Sequence, residues 1–129
     1  LFVSFNAAYI ESEVTLQDGD TRALQGQPEY TSNLVLGYDN LDGGHQLTLL
    51  LNYNGESIAD VGILGNPNVF LEPRGEINLV YRYDISESAS LKARAENILD
   101  AEVEYTQGGQ VFQRYDKGTT LQVGFDWNF

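Results

Sequence analysis

Apolar and polar residues alternate with a period of two along most of this chain, which predicts six β-strands and no helix. The last eleven residues are the clearest case. Leu121, Val123, Phe125, Trp127 and Phe129 alternate there with Thr120, Gln122, Gly124, Asp126 and Asn128. The first predicted strand covers about Phe2 to Thr15, with Val3, Phe5, Ala7 and Tyr9 facing one way and Ser4, Asn6 and Ala8 the other. A second runs from Glu29 to Asp39, setting Tyr30, Leu34, Leu36 and Tyr38 against Thr31, Asn33 and Asp39. The third, Gln46 to about Ser57, places Leu47, Leu49, Leu51 and Tyr53 opposite Gln46, Thr48, Asn52 and Asn54. Glu76 to Ile85 gives a fourth, Ser90 to about Tyr105 a fifth, and Thr119 to Phe129 the sixth.

The connections differ in length in a regular way. Asn40 to Gly44 is a tight turn in which Asp42-Gly43 supplies positive φ, and Ser86 to Ser88 is another. Leu16 to Pro28, Ile58 to Gly75 and Gln107 to Gly118 are long, and Gly and Pro break the first two. Long and short connections therefore alternate, as they do in up-and-down outer-membrane barrels, with long loops outside and short turns on the periplasmic side. With Phe129 anchored at the periplasmic end, Tyr38, Tyr83 and Trp127 fall beside it and Tyr9, Tyr30 and Tyr53 fall at the outer end. Two such aromatic belts suit strands that face lipid. A soluble sandwich explains the alternation equally well but gives no reason for both belts.

Composition narrows the choice further. Seven basic residues against nineteen acidic ones, a formal charge of -12, argue against nucleic-acid binding. Absence of Cys removes disulfides and thiolate metal sites. No apolar run approaches the roughly 18 residues of a membrane helix, which leaves strand-crossing open. Leu1 to Asn6 already reads as strand, with no charged n-region, so the 129 residues are expected to be a piece of something longer or a processed product.

The closing residues resemble the last strand of bacterial outer-membrane barrels, where a polar residue, a Gly and two late aromatics form the signal read by the barrel-assembly machinery. Gln122, Gly124, Trp127 and Phe129 match it. Leu91 to Asp100, with its Asn97-Ile-Leu-Asp100 corner, followed by Glu104-Tyr105, Tyr115 and Gly118, resembles the end of TonB-dependent receptors. Gln25 to Pro28 and Leu51 to Gly55 are also similar to that family's late barrel. The resemblance covers nearly all of residues 1–129 and is strongest over Ala95 to Phe129. It implies an all-β, antiparallel up-and-down meander of about six strands, the closing part of a barrel of about 22. It also implies a bacterial outer-membrane location, and upstream a plug domain and a short box that contacts the energy-transducing partner TonB. The substrates implied are scarce nutrients too large for porins, such as ferric siderophores, haem, cobalamin or oligosaccharides. Without its plug the segment alone is not expected to transport.

Candidate contacts follow from placement. Arg82, Asp84, Lys92, Arg94 and Glu96 lie on polar faces, and an Arg or Lys facing mid-membrane lipid costs about 2–4 kcal/mol, so they are expected to face the lumen. There they either hold the plug or pair across the fourth and fifth strands, Arg82 or Asp84 with Lys92 or Arg94. In the outer loops Arg22, Gln25, Asn66, Asn68, Phe70, Arg74, Gln110, Phe112, Arg114 and Tyr115 are candidates for an anionic or aromatic ligand, a pattern that solvated loops match equally well. His45 reads as a turn residue, and a lone His makes no metal site. Glu11, Glu13, Asp18 and Asp20 read as an acidic solvated loop, since the spacing and terminal Glu of a calcium loop are missing. Glu102 and Glu104 are a carboxylate pair that more simply faces water or lumen. No nucleophile or phosphate-loop motif occurs, so neither enzyme activity nor a cofactor is expected. Two other classes stay open: a small porin-like barrel assembled from several chains, and a soluble lipocalin-like binding module.

Overall fold

In the computed structural model, which describes residues 1–16, 19–40 and 42–128, the alternating segments form twelve strands and no helix. In chain order the first six are β1 (Phe2–Tyr9), β2 (Val14–Thr15), β3 (Thr21–Arg22), β4 (Tyr30–Asn40), β5 (His45–Asn54) and β6 (Ser57–Asp60). The rest are β7 (Val69–Leu71), β8 (Arg74–Ser86), β9 (Ala89–Glu96), β10 (Glu102–Gln107), β11 (Gln110–Asp116) and β12 (Thr120–Trp127). The main sheet has six strands in the order β1-β4-β5-β8-β9-β12, every neighbour antiparallel. It is the expected meander, open at both edges rather than closed into a barrel. No helix is long and apolar enough to cross a membrane among the described residues, which says nothing of a β-barrel.

Register turns six separate alternations into two continuous faces. Direct partners in an antiparallel ladder share a face, and Val3, Leu36, Leu49, Leu79, Ala95 and Leu121 partner one another across the whole sheet. Phe5, Leu34, Leu51 and Ile77 form a parallel row beside it. On the reverse face the row is Asn6, Asn33, Asn52 and Glu76.

Three expectations are corrected in detail. The first strand stops at Tyr9, because the chain leaves the ladder after the Ile10 amide bonds the Glu29 carbonyl, and Val14–Thr15 pairs with Thr21–Arg22 instead. The fifth breaks after Glu96, because Asn97 (φ 52°) and Asp100 (φ 50°) adopt left-handed backbone that ends an extended run. His45 is no turn residue but opens β5; the positive φ of the preceding turn falls on Gly44 (68°), where a Cβ would lie 2.6 Å from the Asp84 carbonyl oxygen.

The long connections are built rather than loose. Strands β11-β10-β7-β6 form a second sheet whose order repeats that of β12-β9-β8-β5, so four walls of the main sheet resume beyond a break. The first long connection joins this layer: the Gly26 amide bonds the Ile58 carbonyl at 2.8 Å and Gln25 Nε2 bonds the Ala59 carbonyl at 2.8 Å.

Candidate functional site

The main sheet has no core. Among the described residues the buried hydrophobic side chains are Ile58 and Val103, both in the smaller sheet, whereas Leu121 and Val123 in the main sheet are 75% and 76% exposed. A folded monomer of 14.4 kDa exposes about 6,800 Å²; this chain exposes 9044 Å². Among its exposed large apolar side chains are Val3, Phe5, Phe125 and Trp127 of the main sheet.

Aromatic residues bound the apolar face at both ends. At the long-connection end Tyr9 partners Tyr30, and Tyr30 stacks on Tyr53 with centroids 5.9 Å apart. The Tyr30 ring occupies the space a side chain at Gly55 would need, since a Cβ there would lie 2.7 Å from it. At the short-turn end His45 stacks on Tyr83 at 4.4 Å, its Nδ1 lies 2.8 Å from the Tyr81 hydroxyl, and Trp127 meets Phe125 edge-on at 6.2 Å. From Tyr30 to Tyr38 along β4 the rise is about 27 Å at ~3.4 Å per residue.

The polar face is bonded rather than bare. Asn33 Nδ2 donates to Asn6 Oδ1 at 3.1 Å, Asn52 Nδ2 donates to Asn33 Oδ1, and Asn54 Nδ2 donates to Asn52 Oδ1 at 2.9 Å. This amide ladder was signalled by Asn at polar positions of three successive strands, yet only the register reveals that they meet. Arg82 pairs with Asp84 at 2.7 Å, Lys92 with Asp126 at 2.9 Å and Arg94 with Glu96 at 3.2 Å. Among the described residues no ion pair joins the fourth and fifth strands, the alternative to holding the plug: Arg82 and Lys92 are direct partners of like charge and each turns to a different carboxylate. Gln122 and Gly124 stand beside Arg94 and Lys92 on this face, and Trp127 on the other; Phe129 lies outside the described residues.

Most ligand candidates sit in strands and are already engaged. Arg22 is in β3, Phe70 in β7, Arg74 opens β8, and Gln110, Phe112, Arg114 and Tyr115 line β11. Gln25 holds Ala59, Asn66 bonds the Ile63 carbonyl, and Asn68 accepts from the Gly62 amide. Arg74 pairs with Glu76. Arg114 reaches both Glu102 (3.7 Å) and Glu104 (3.6 Å), which makes that carboxylate pair an ion-pair partner. Phe112 is 62% exposed, and it and Tyr115 are the large exposed hydrophobic candidates. No group of three or more His, Asp or Glu is arranged to hold a metal ion among the described residues; Asp18 lies outside them.

Where the two sheets join, glutamates line up. The Glu29 amide bonds the Glu56 carbonyl and the Glu72 amide bonds the Glu104 carbonyl. Burial first, then the Glu72 and Glu29 carboxylates, hold the Glu56 carboxyl above its ordinary value. At the other junction Asn97, 2% exposed, is fully bonded. Its amide donates to Asn78 Oδ1, its Nδ2 to the Gly118 carbonyl, its Oδ1 accepts from the Ala101 amide, and its carbonyl accepts from the Thr119 hydroxyl, all between 2.9 and 3.1 Å.

Family models, curated proteins and solved structures were each compared with this chain, and none of them matches it.

Proposed function

We propose that this chain is a wall segment of a bacterial outer-membrane β-barrel, the closing part of a TonB-dependent receptor that takes up a scarce nutrient such as a ferric siderophore. One observation carries the membrane reading: an apolar face six strands wide, uncovered and bounded by aromatic rows. Lipid satisfies such a face, whereas a soluble lipocalin-like module has to bury it. The ion pairs of the opposite, polar face, which suit a lumen, support the same reading. The receptor assignment rests on the corner at Asn97 to Asp100 and the closing strand.

An antibody to residues 107–118 tests this in isolated outer membranes. The expected band has about five to six times this chain's mass, from about 22 strands against six plus a plug. A band at the chain's own mass selects the second reading, an oligomeric small barrel. Recovery from the soluble fraction overturns both.

A further inference from the structure

The two sheets are joined along a seam whose halves differ in chemistry. The chain crosses it at Gly55-Glu56 and Glu72-Pro73 in one half, and through residues 97–101 and 117–119 in the other. The second half is held by the Asn97 amide, its backbone partners and the Thr119 hydroxyl, none of which titrates between acidic and neutral pH. The first half is built from groups that do.

Register brings those groups into one row. Ser57 partners Leu71, and Leu71 partners Tyr105. One residue nearer the main sheet, Glu56, Glu72 and Glu104 therefore stand level, and the Glu72 amide bonds the Glu104 carbonyl at 2.9 Å. Glu29, just before β4, joins the row with its amide on the Glu56 carbonyl at 3.2 Å. Like charges set opposite one another across strands repel. Countercharge reaches only the far end, where Arg114 is shared between Glu104 and Glu102. Thr106 donates its hydroxyl to Glu72, and Arg74 and Lys117, further along, both take Glu76. Among the described residues no ion pair reaches Glu29, Glu56 or Glu72. Away from the main sheet the next row in step is Ile58, Phe70 and Thr106, with Ile58 buried, so water screens the carboxylates poorly on that side.

We infer that this glutamate row is a proton-operated latch between the two sheets, with the Asn97 corner as its hinge. A protonated row carries no charge to repel, and β6 and β7 then lie closed against the main sheet. They hold the first long connection with them, through the bonds of Gly26 to Ile58 and of Gln25 to Ala59. Ionised, Glu29, Glu56 and Glu72 push this half of the seam apart while Asn97 keeps the other half joined. The direction at Glu56 agrees in sign: its folded-state value is raised, so closure is complete at acidic pH and is lost as pH rises through that value. The latch stands on the joint between the sheets and does not depend on what covers the larger one.

Amide hydrogen exchange, corrected for its intrinsic pH dependence, tests this between about pH 4 and about pH 8. Protection of the Gly26, Glu29 and Glu72 amides should fall at least about tenfold over that range, while Ala101 and Leu49 stay within about twofold. A Glu56→Gln, Glu72→Gln double variant should keep all three reporters protected at both pH values. Unchanged protection of the reporters in the unaltered chain overturns the latch. A loss shared equally by Ala101 and Leu49 is general loosening and overturns it too. A loss that persists in the double variant overturns the assignment to these glutamates.

Discussion

Leu121 and Val123 in the six-stranded sheet are three-quarters exposed, while Ile58 and Val103 in the four-stranded sheet are 5% and 3% exposed, although strands of the two sheets follow one another along the chain. The smaller sheet gains burial from the chain itself, because strands of the second and third long connections, β7 and β11, pair on either side of β10 and the first connection leans on β6. The larger sheet has the more regular apolar pattern and no chain to set against it. Regular alternation therefore marks where an outside phase must supply the contact, and broken alternation marks where the chain supplies its own.

The contrast is broken most strongly by a charge at the middle of the apolar face. Leu49→Arg should destabilise the chain refolded in lipid or detergent by about 2–4 kcal/mol, while Thr48→Arg on the opposite face should be tolerated. Urea titration in micelles measures both, and equal losses would count against a lipid-facing surface. Next comes the junction. Asn97→Ala leaves the Ala101 amide and the Gly118 carbonyl without their partner and replaces a residue that tolerates left-handed backbone with one that does so less readily, so a loss of about 2–3 kcal/mol is expected. Amide exchange should then quicken at Ala101 before it does at Leu49.

The smallest effect is a pH dependence at the other junction. Because the folded-state value of Glu56 is raised, the folded chain holds that proton more tightly than the unfolded chain does. The associated stability is full below the ordinary value of 4.5 and is lost as pH rises through the raised value. Glu56→Gln should flatten the melting profile across that window and raise the melting temperature above it. An unchanged profile would mean that neither burial nor the Glu72 and Glu29 carboxylates raise this carboxyl.

How much of this was legible follows from the same contrast. The six long strands, both short turns and the two faces were readable, because a period of two persists over eight or more residues and needs no knowledge of partners. In the smaller sheet β10 fell within the fifth alternation, but Ser57–Asp60 and Val69–Leu71 are too short to show a period. Nor does the alternation of Ser90 to Tyr105 reveal that Asn97 and Asp100 turn left-handed. Site residues were legible as to face and illegible as to partner. Arg82, Lys92 and Arg94 could be placed on the polar side, but which carboxylate each one takes depends on the register and on like charges meeting at Arg82 and Lys92. His45 looked like a turn residue because Gly43 and Gly44 precede it, and its stacking on Tyr83 depends on a strand that starts only at Arg74.

The corner at Asn97 settles an ambiguity that hydrophobicity leaves open. If β12 slid by two residues along β9, Leu121, Val123, Phe125 and Trp127 would all still point to the apolar side, so lipid could not tell the error from the correct arrangement. Asn97 can tell. Its side chain takes the Gly118 carbonyl and its own carbonyl takes the Thr119 hydroxyl, and a slid strand offers neither in place. One buried amide thus acts as the tie-breaker for a strand whose own pattern repeats too evenly to locate itself.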